Sequence, residues 1–347
     1  LNQKLSTVLK FIFFLSLGIF LIWLSVHKLT PQDKKDIGGA LNRANYTWVI
    51  LSLFIGLLAH WSRAVRWKML MEPLGFKPKT SNTFFAVMIG YMANYAIPRL
   101  GEVSRCGVLT RYEKVPFSES FGTVVVERIV DVLCFFVVVF IVLLIQFDML
   151  YSYLREHLFS KIAEKYSSGG SSTYIIIGAF ICAIALFFLL RKKIFGILGA
   201  KVQKFINEFV AGLKAIRKVK SPLLFICHSL FIWFIYYLTF HICFFCLPET
   251  TNITVGAGLT VFLIATLTIM LTPGGLGAYP IAVASILSAS AISFSVGTAI
   301  GWLVWLAQFI SILLFGLISL ILLPLLNKEP GIENQESTIS PHSPLGS

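Results

Sequence analysis

The chain has 347 residues, of which 57% are hydrophobic and only 13% charged, with a mean hydropathy of +0.83. Soluble domains carry roughly a quarter charged residues, so this chain cannot cover itself in water, and a soluble globular enzyme is excluded. The formal charge of +13 fits basic loops beside an anionic membrane surface better than a nucleic-acid partner, because the basic residues follow the loops between apolar runs.

A membrane-crossing helix needs about 20 mostly apolar residues. In chain order such runs fall at 8–27, 46–62, 121–147, 173–190, 222–247 and 297–323. The first has the look of a signal-peptide core but is long for one and lacks a small-residue cleavage site, so it reads as a retained span. The chain opens on Leu1 rather than Met, which suggests a trimmed start. Two further apolar regions, 81–118 and 254–291, are interrupted by Pro and Gly, each long enough for a helix, a turn and a returning helix. Irregular backbone at membrane depth survives only where protein buries it or water reaches it.

The expected fold is therefore an all-α integral membrane bundle of about six full spans plus two Pro/Gly-broken hairpins, re-entrant or fully crossing, in one membrane domain over residues 1–326. Basic residues on the alternate loops outnumber those on the others roughly three to one, which by the positive-inside rule places both termini in the cytoplasm. The hairpins then enter from opposite sides, as in an inverted-repeat transporter. Residues 195–219 place Leu198, Val202, Phe205, Phe209 and Leu213 at helical spacing among lysines, a basic amphipathic helix suited to an anionic inner leaflet or to packing on the spans. The stretch 327–347, rich in Ser, Pro, Gly and Glu, is expected to be a disordered tail.

Three motifs carry candidate chemistry. In Asn94-Tyr95-Ala96-Ile97-Pro98-Arg99-Leu100-Gly101-Glu102-Val103-Ser104-Arg105, the proline breaks the helix and Gly101 permits close approach. A helix there would set Arg99, Glu102 and Arg105 along one flank. Ionisable groups near hydrocarbon are costly and mark a pathway or a buried pair. Within the run 121–147, Glu127 and Asp131 share a helix face with Arg128 beside them. The carboxylates can pair with Arg99 or Arg105, and Arg128 with Glu102. The turn Pro273-Gly274-Gly275-Leu276-Gly277 exposes backbone amides able to form an anion nest, although no Gly-Lys-Ser/Thr follows as in a P-loop. Beyond it, Ala282, Ser285 and Ala289 form a small-residue stripe, and Gly297 with Gly301 invites close helix packing in the last span.

Arg63, Arg66, Trp61 and Trp67 read as interfacial anchoring at the end of the second span. Cys243 and Cys246 have zinc-like spacing but sit in an apolar span, so they read as packing cysteines and no metal or cofactor is expected.

These motifs in this order, together with Arg63-Ala64-Val65-Arg66-Trp67, resemble the flippase-like membrane domain of lysylphosphatidylglycerol synthases. The resemblance implies a bundle with two re-entrant hairpins that translocates lipid headgroups, in a bacterial inner membrane. It also implies substrate-binding roles for Asn94, Arg99, Glu102, Arg105, Glu127, Arg128, Asp131, Gly274, Gly275 and Gly277. The bifunctional members carry a soluble aminoacyltransferase domain, which is not found in these 347 residues. Relatives often have Glu shortly after the glycine-rich turn, where this chain has Ala278-Tyr279-Pro280; that departure touches any acidic role there. The expected function is a flippase or transporter of an anionic or lipid-linked headgroup, acting on phospholipid or polyprenyl-linked lipid, with a homo-oligomer as a further expectation. The alternative is a membrane-embedded enzyme or accessory subunit of envelope-lipid synthesis, with Glu127 or Asp131 as general base.

Overall fold

The computed structural model describes residues 30–97, 99–146 and 219–327. The runs expected to span at 8–27 and 173–190 lie outside them. So do the amphipathic helix at 195–219, apart from Val219, and the tail beyond Asn327.

Among the described residues the regular structure is helical: α1 (Pro31–Arg43), α2 (Tyr46–Met71), α3 (Thr80–Ala96), α4 (Leu100–Glu113), α5 (Phe117–Ile145), α6 (Pro222–Ile242), α7 (Val255–Leu271), α8 (Ala278–Ser288) and α9 (Phe294–Leu326). Four segments are long and apolar enough to cross a bilayer: Tyr46–Leu74, Phe117–Ile145, Pro222–Cys246 and Phe294–Leu326. These match four of the expected spans. The helix expected to stop at 62 continues to Met71, because Arg63 and Arg66 are buried within the bundle and do not mark its end.

The order is a long helix, a hairpin of two shorter helices and a long helix, twice over: α2, α3–α4, α5, then α6, α7–α8, α9. Polar contacts at the helix ends fix how the two units run. On one face, the Asn45 amide donates to the Cys246 carbonyl (2.9 Å), Arg43 pairs with Glu249, and Ser295 Oγ donates to Asp33 (3.0 Å). That face therefore holds the start of α2, the end of α6 and the start of α9. On the other, Asn82 Nδ2 donates to Glu113 (2.5 Å) and exchanges hydrogen bonds with Asn327 at 2.8 and 2.9 Å. Lys68 Nζ reaches Thr80 Oγ1 there (3.4 Å). This face holds the mouth of the first hairpin and the end of α9. The mouth of the second hairpin lies on the α1 face, where Tyr237 donates to the Val255 carbonyl (2.9 Å). The α2 and α6 helices thus run antiparallel, and the hairpins enter from opposite faces.

Helix α1 straps the first of these faces. Thr30 caps it, its hydroxyl accepting from the Asp33 amide while Asp33 accepts from the Thr30 amide. The Thr30 hydroxyl and amide, then the Ser295 hydroxyl, hold the Asp33 carboxyl below its ordinary range.

The hairpin tips meet inside the bundle. Tyr95, near the end of α3, packs edge-on against Phe309 of α9 (centroids 5.0 Å). Phe309 stacks on Trp305, whose Nε1 donates to the Gly274 carbonyl (2.8 Å). The ring of Tyr95 lies 3.4 Å from where a Gly274 Cβ would project. Two backbone approaches shape the hairpins. Gly101 accepts no Cβ, because one would sit 2.6 Å from the Asn94 side chain, and its amide is instead held by Asn94 Oδ1 (2.7 Å). In α9, Cβ atoms on Gly297 and Gly301 would fall 2.7 Å from Ala284 Cα and 2.5 Å from Pro280 Cα. The small-residue contact between the second hairpin and the last span therefore exists, but α8 meets it with Pro280 and Ala284. Ala282 and Ser285 are half-buried and Ala289 is exposed.

Overpacking a close helix contact costs about 1–3 kcal/mol. Gly301→Val should therefore lower the thermal unfolding midpoint in detergent, whereas Gly107→Val, at a position open on all sides, should shift it far less.

Candidate functional site

Glu127 and Asp131 lie one turn apart on α5, facing Arg63 and Arg66 of α2, which are three residues apart and share a face of their own helix. Arg63 Nη1 donates to Glu127 (2.5 Å) and to Asp131 (2.7 Å). Arg66 Nη2 donates to Asp131 (2.6 Å) and lies 3.6 Å from Glu127, while its Nη1 donates to Ser229 of α6 (3.1 Å). Side-chain exposure is 5% for Arg63, 0% for Arg66 and Glu127, and 12% for Asp131. Two carboxylates thus neutralise two guanidiniums in a fully packed setting.

Two more arginines extend this core. Arg105 of α4 is 4% exposed and lies 3.2 Å from Glu127. Its guanidinium sits 4.5 Å over the ring of Trp67, a cation–π stack; Trp67 in turn donates Nε1 to Thr123 Oγ1 (2.8 Å). At the rim, Arg128 Nη2 pairs with Glu102 (2.7 Å), with side-chain exposures of 43% and 20%, and its Nη1 lies 3.9 Å from Asp131. Aromatic and imidazole rings wall the other side: Arg63 lies 5.9 and 6.0 Å over Tyr91 and Tyr236, and His60 packs on Tyr91 (5.2 Å).

The structure therefore gathers Glu102, Arg105, Glu127, Arg128 and Asp131 into one cluster, with the expected Arg105–carboxylate and Arg128–Glu102 pairs present. Arg99 does not join it. It occupies the hairpin turn at φ 70, is exposed, and makes no ion pair among the described residues. Asn94 serves the hairpin itself through the Gly101 amide. Gly274, Gly275 and Gly277 all adopt positive φ (64, 75 and 70), as a nest requires. Their described hydrogen bond is the one from Trp305, and none links the turn to the arginine cluster. Arg63 and Arg66 are the residues the sequence reading misplaced. Their i, i+3 spacing on an unbroken apolar helix was the signal available, obscured by the nearby tryptophans and lysines.

This is a polytopic helical membrane protein built around a buried arginine–carboxylate cluster beside a broken hairpin. The chain belongs to the family described as the lysylphosphatidylglycerol synthase TM region, which it matches over residues 8–316. UPF0104 membrane protein MJ1595 of Methanocaldococcus jannaschii is 29% identical over 133 residues, 38% of this chain and 37% of that protein. UPF0104 membrane protein MJ1078 of the same organism is 29% identical over 226 residues, 65% of this chain and 91% of that protein. The alignment thus spans little more than a third of the first relative and nearly all of the second. No solved structure matches the chain.

Removing one partner of a buried ion pair costs about 3–5 kcal/mol, because the other charge is left uncompensated; a partly exposed pair contributes about 0–1 kcal/mol. Glu127→Gln should therefore strongly destabilise the protein in detergent, and Arg128→Ala should change its unfolding midpoint little. Equal losses from the two substitutions would contradict the division into core and rim.

Proposed function

We propose that this protein moves the anionic headgroup of a lipid, a phospholipid or a polyprenyl-linked lipid, between membrane leaflets. The observation that carries the reading is the buried cluster. It holds four arginines, Arg63, Arg66, Arg105 and Arg128, against three carboxylates, Glu102, Glu127 and Asp131. Groups this costly inside a bilayer belong to a substrate path or an ion relay, and the surplus is positive.

The surrounding architecture supports the same reading. Helices of 17 and 14 residues in the first hairpin reach about 26 and 21 Å, short of a hydrocarbon core of about 30 Å, so a re-entrant hairpin accounts for them. Hairpins entering from opposite faces and meeting at their tips suit alternating access around a fixed site. Lys68, Lys77, Lys79, Arg111, Lys114 and Lys220 sit towards the mouth of the first hairpin. The positive-inside rule turns that face to the cytoplasm, in a bacterial inner membrane with both termini inside. Anionic inner-leaflet lipid would then meet the cluster at the Arg128–Glu102 rim, its most exposed pair.

The test is leaflet exchange of labelled anionic and polyprenyl-phosphate lipids in proteoliposomes, with Arg128→Ala beside the wild type. Exchange should be seen with the wild type and fall at least tenfold in the variant, while reconstitution yield is unchanged. Absence of exchange across the lipid panel, with turnover of a labelled lipid donor instead, would replace this reading by a membrane-embedded enzyme of envelope-lipid synthesis.

A further inference from the structure

The surplus positive charge can be assigned to one side chain. Arg63 and Arg66 are held at 2.5–2.7 Å by Glu127 and Asp131, and Arg128 is held at 2.7 Å by Glu102. That leaves Arg105. Its link to the carboxylates is through Nη1 alone, 3.3 and 3.2 Å from the two oxygens of Glu127, longer than the 2.5 Å contact of Arg63 with the same carboxylate. Its Nε and Nη2 atoms are buried and have no hydrogen-bond partner among the described residues, whereas Arg63 and Arg66 each leave only Nε without one. A buried guanidinium with two unmade donors is among the most expensive groups a protein interior can hold. Trp67 covers its face and Thr123 fixes the indole, so the planar group is held in one orientation.

We propose that Arg105 is the anion-binding residue of the cluster and that its ligand is a singly charged phosphodiester, the linkage found in diacylglycerol phospholipids. Two features select that chemistry. One surplus charge is balanced by one negative charge, which a diester carries and a phosphomonoester exceeds. Two donors on one guanidinium match two non-bridging phosphate oxygens, the fork geometry for which Arg is suited and Lys is not. The least-buried pair of the cluster is Arg128 with Glu102, at 43% and 20% side-chain exposure. Opening that pair admits the headgroup, and Glu127 remains with Arg63 and Arg66 when Arg105 turns to phosphate. The inference deepens the transport reading by naming the headgroup charge and the side chain that takes it.

Charge balance gives Arg105 an unusual mutational signature. Its removal leaves three arginines against three carboxylates, with Glu127 still between Arg63 and Arg66, so Arg105→Gln should lower the unfolding midpoint less than Glu127→Gln does. The experiment is thermal unfolding in a neutral detergent with added phosphatidylglycerol, phosphatidic acid, phosphatidylcholine, inorganic phosphate or glycerophosphoglycerol. The wild type should be stabilised by several degrees by phosphatidylglycerol, and less by the monoester or the zwitterion. Arg105→Gln should lose that shift, and Arg105→Lys should keep only part of it. A full phosphatidylglycerol shift in Arg105→Gln would overturn the assignment. Equal stabilisation of the wild type by inorganic phosphate or glycerophosphoglycerol would show a soluble-anion site and overturn the lipid source. An Arg105-dependent lipid shift without leaflet exchange would keep this site and remove the transport reading, so the two failures are distinguishable.

Discussion

Glu127 is buried against Arg63, Arg66 and Arg105, and the rest of the described structure is arranged around that fact. A carboxylate at full burial is sustained only when positive charge surrounds it at hydrogen-bond distance. Supplying that charge requires α2, α4 and α5 to converge at one level. It also requires α6 to approach closely enough for Ser229 to satisfy Arg66. The cluster thus ties a long helix from each half of the molecule to one arm of a hairpin, and it does so with directional contacts that lipid-like packing cannot provide.

The same constraint explains the asymmetry of the two hairpins. Their entry from opposite faces and their similar helix lengths describe two related units, yet only the first brings ionised side chains inward. The second is pinned by backbone geometry: positive φ at Gly274, Gly275 and Gly277, a carbonyl taken by Trp305, and the tight contacts of Gly297 and Gly301 with Ala284 and Pro280. Where the first hairpin holds charge, the second holds an aromatic and glycine joint.

The exposure of the side chains is graded across the cluster. Glu127 and Arg66 are wholly enclosed, Asp131 nearly so, Glu102 partly, and Arg128 approaches half exposure. Interactions at the closed end hold the bundle together, and those at the open end can be exchanged at small cost. Arg105 belongs to the closed end, yet it meets its carboxylate at 3.2 Å where Arg63 does so at 2.5 Å.

Much of this architecture was legible in the sequence because hydrocarbon imposes simple rules. Four of the expected spans, the two broken hairpins and the polar motifs follow from apolar run length, from Pro and Gly inside those runs, and from carboxylates at i, i+4. The pairing of Arg128 with Glu102 and of Arg105 with Glu127 was available from the same spacing. Tertiary structure alone decided the rest. Arg63 and Arg66 resemble interfacial anchors until α5 and α6 are packed against them, since a basic residue near a span's end reads alike whether it faces lipid headgroups or a buried carboxylate. Arg99 has the right type and spacing for the cluster but lies exposed in the turn at positive φ, outside the helix that carries Glu102 and Arg105. Run length and periodicity are properties of one segment; which charge meets which is a property of three-dimensional packing, where a shift of one residue at the hairpin turn decides whether a guanidinium finds its partner.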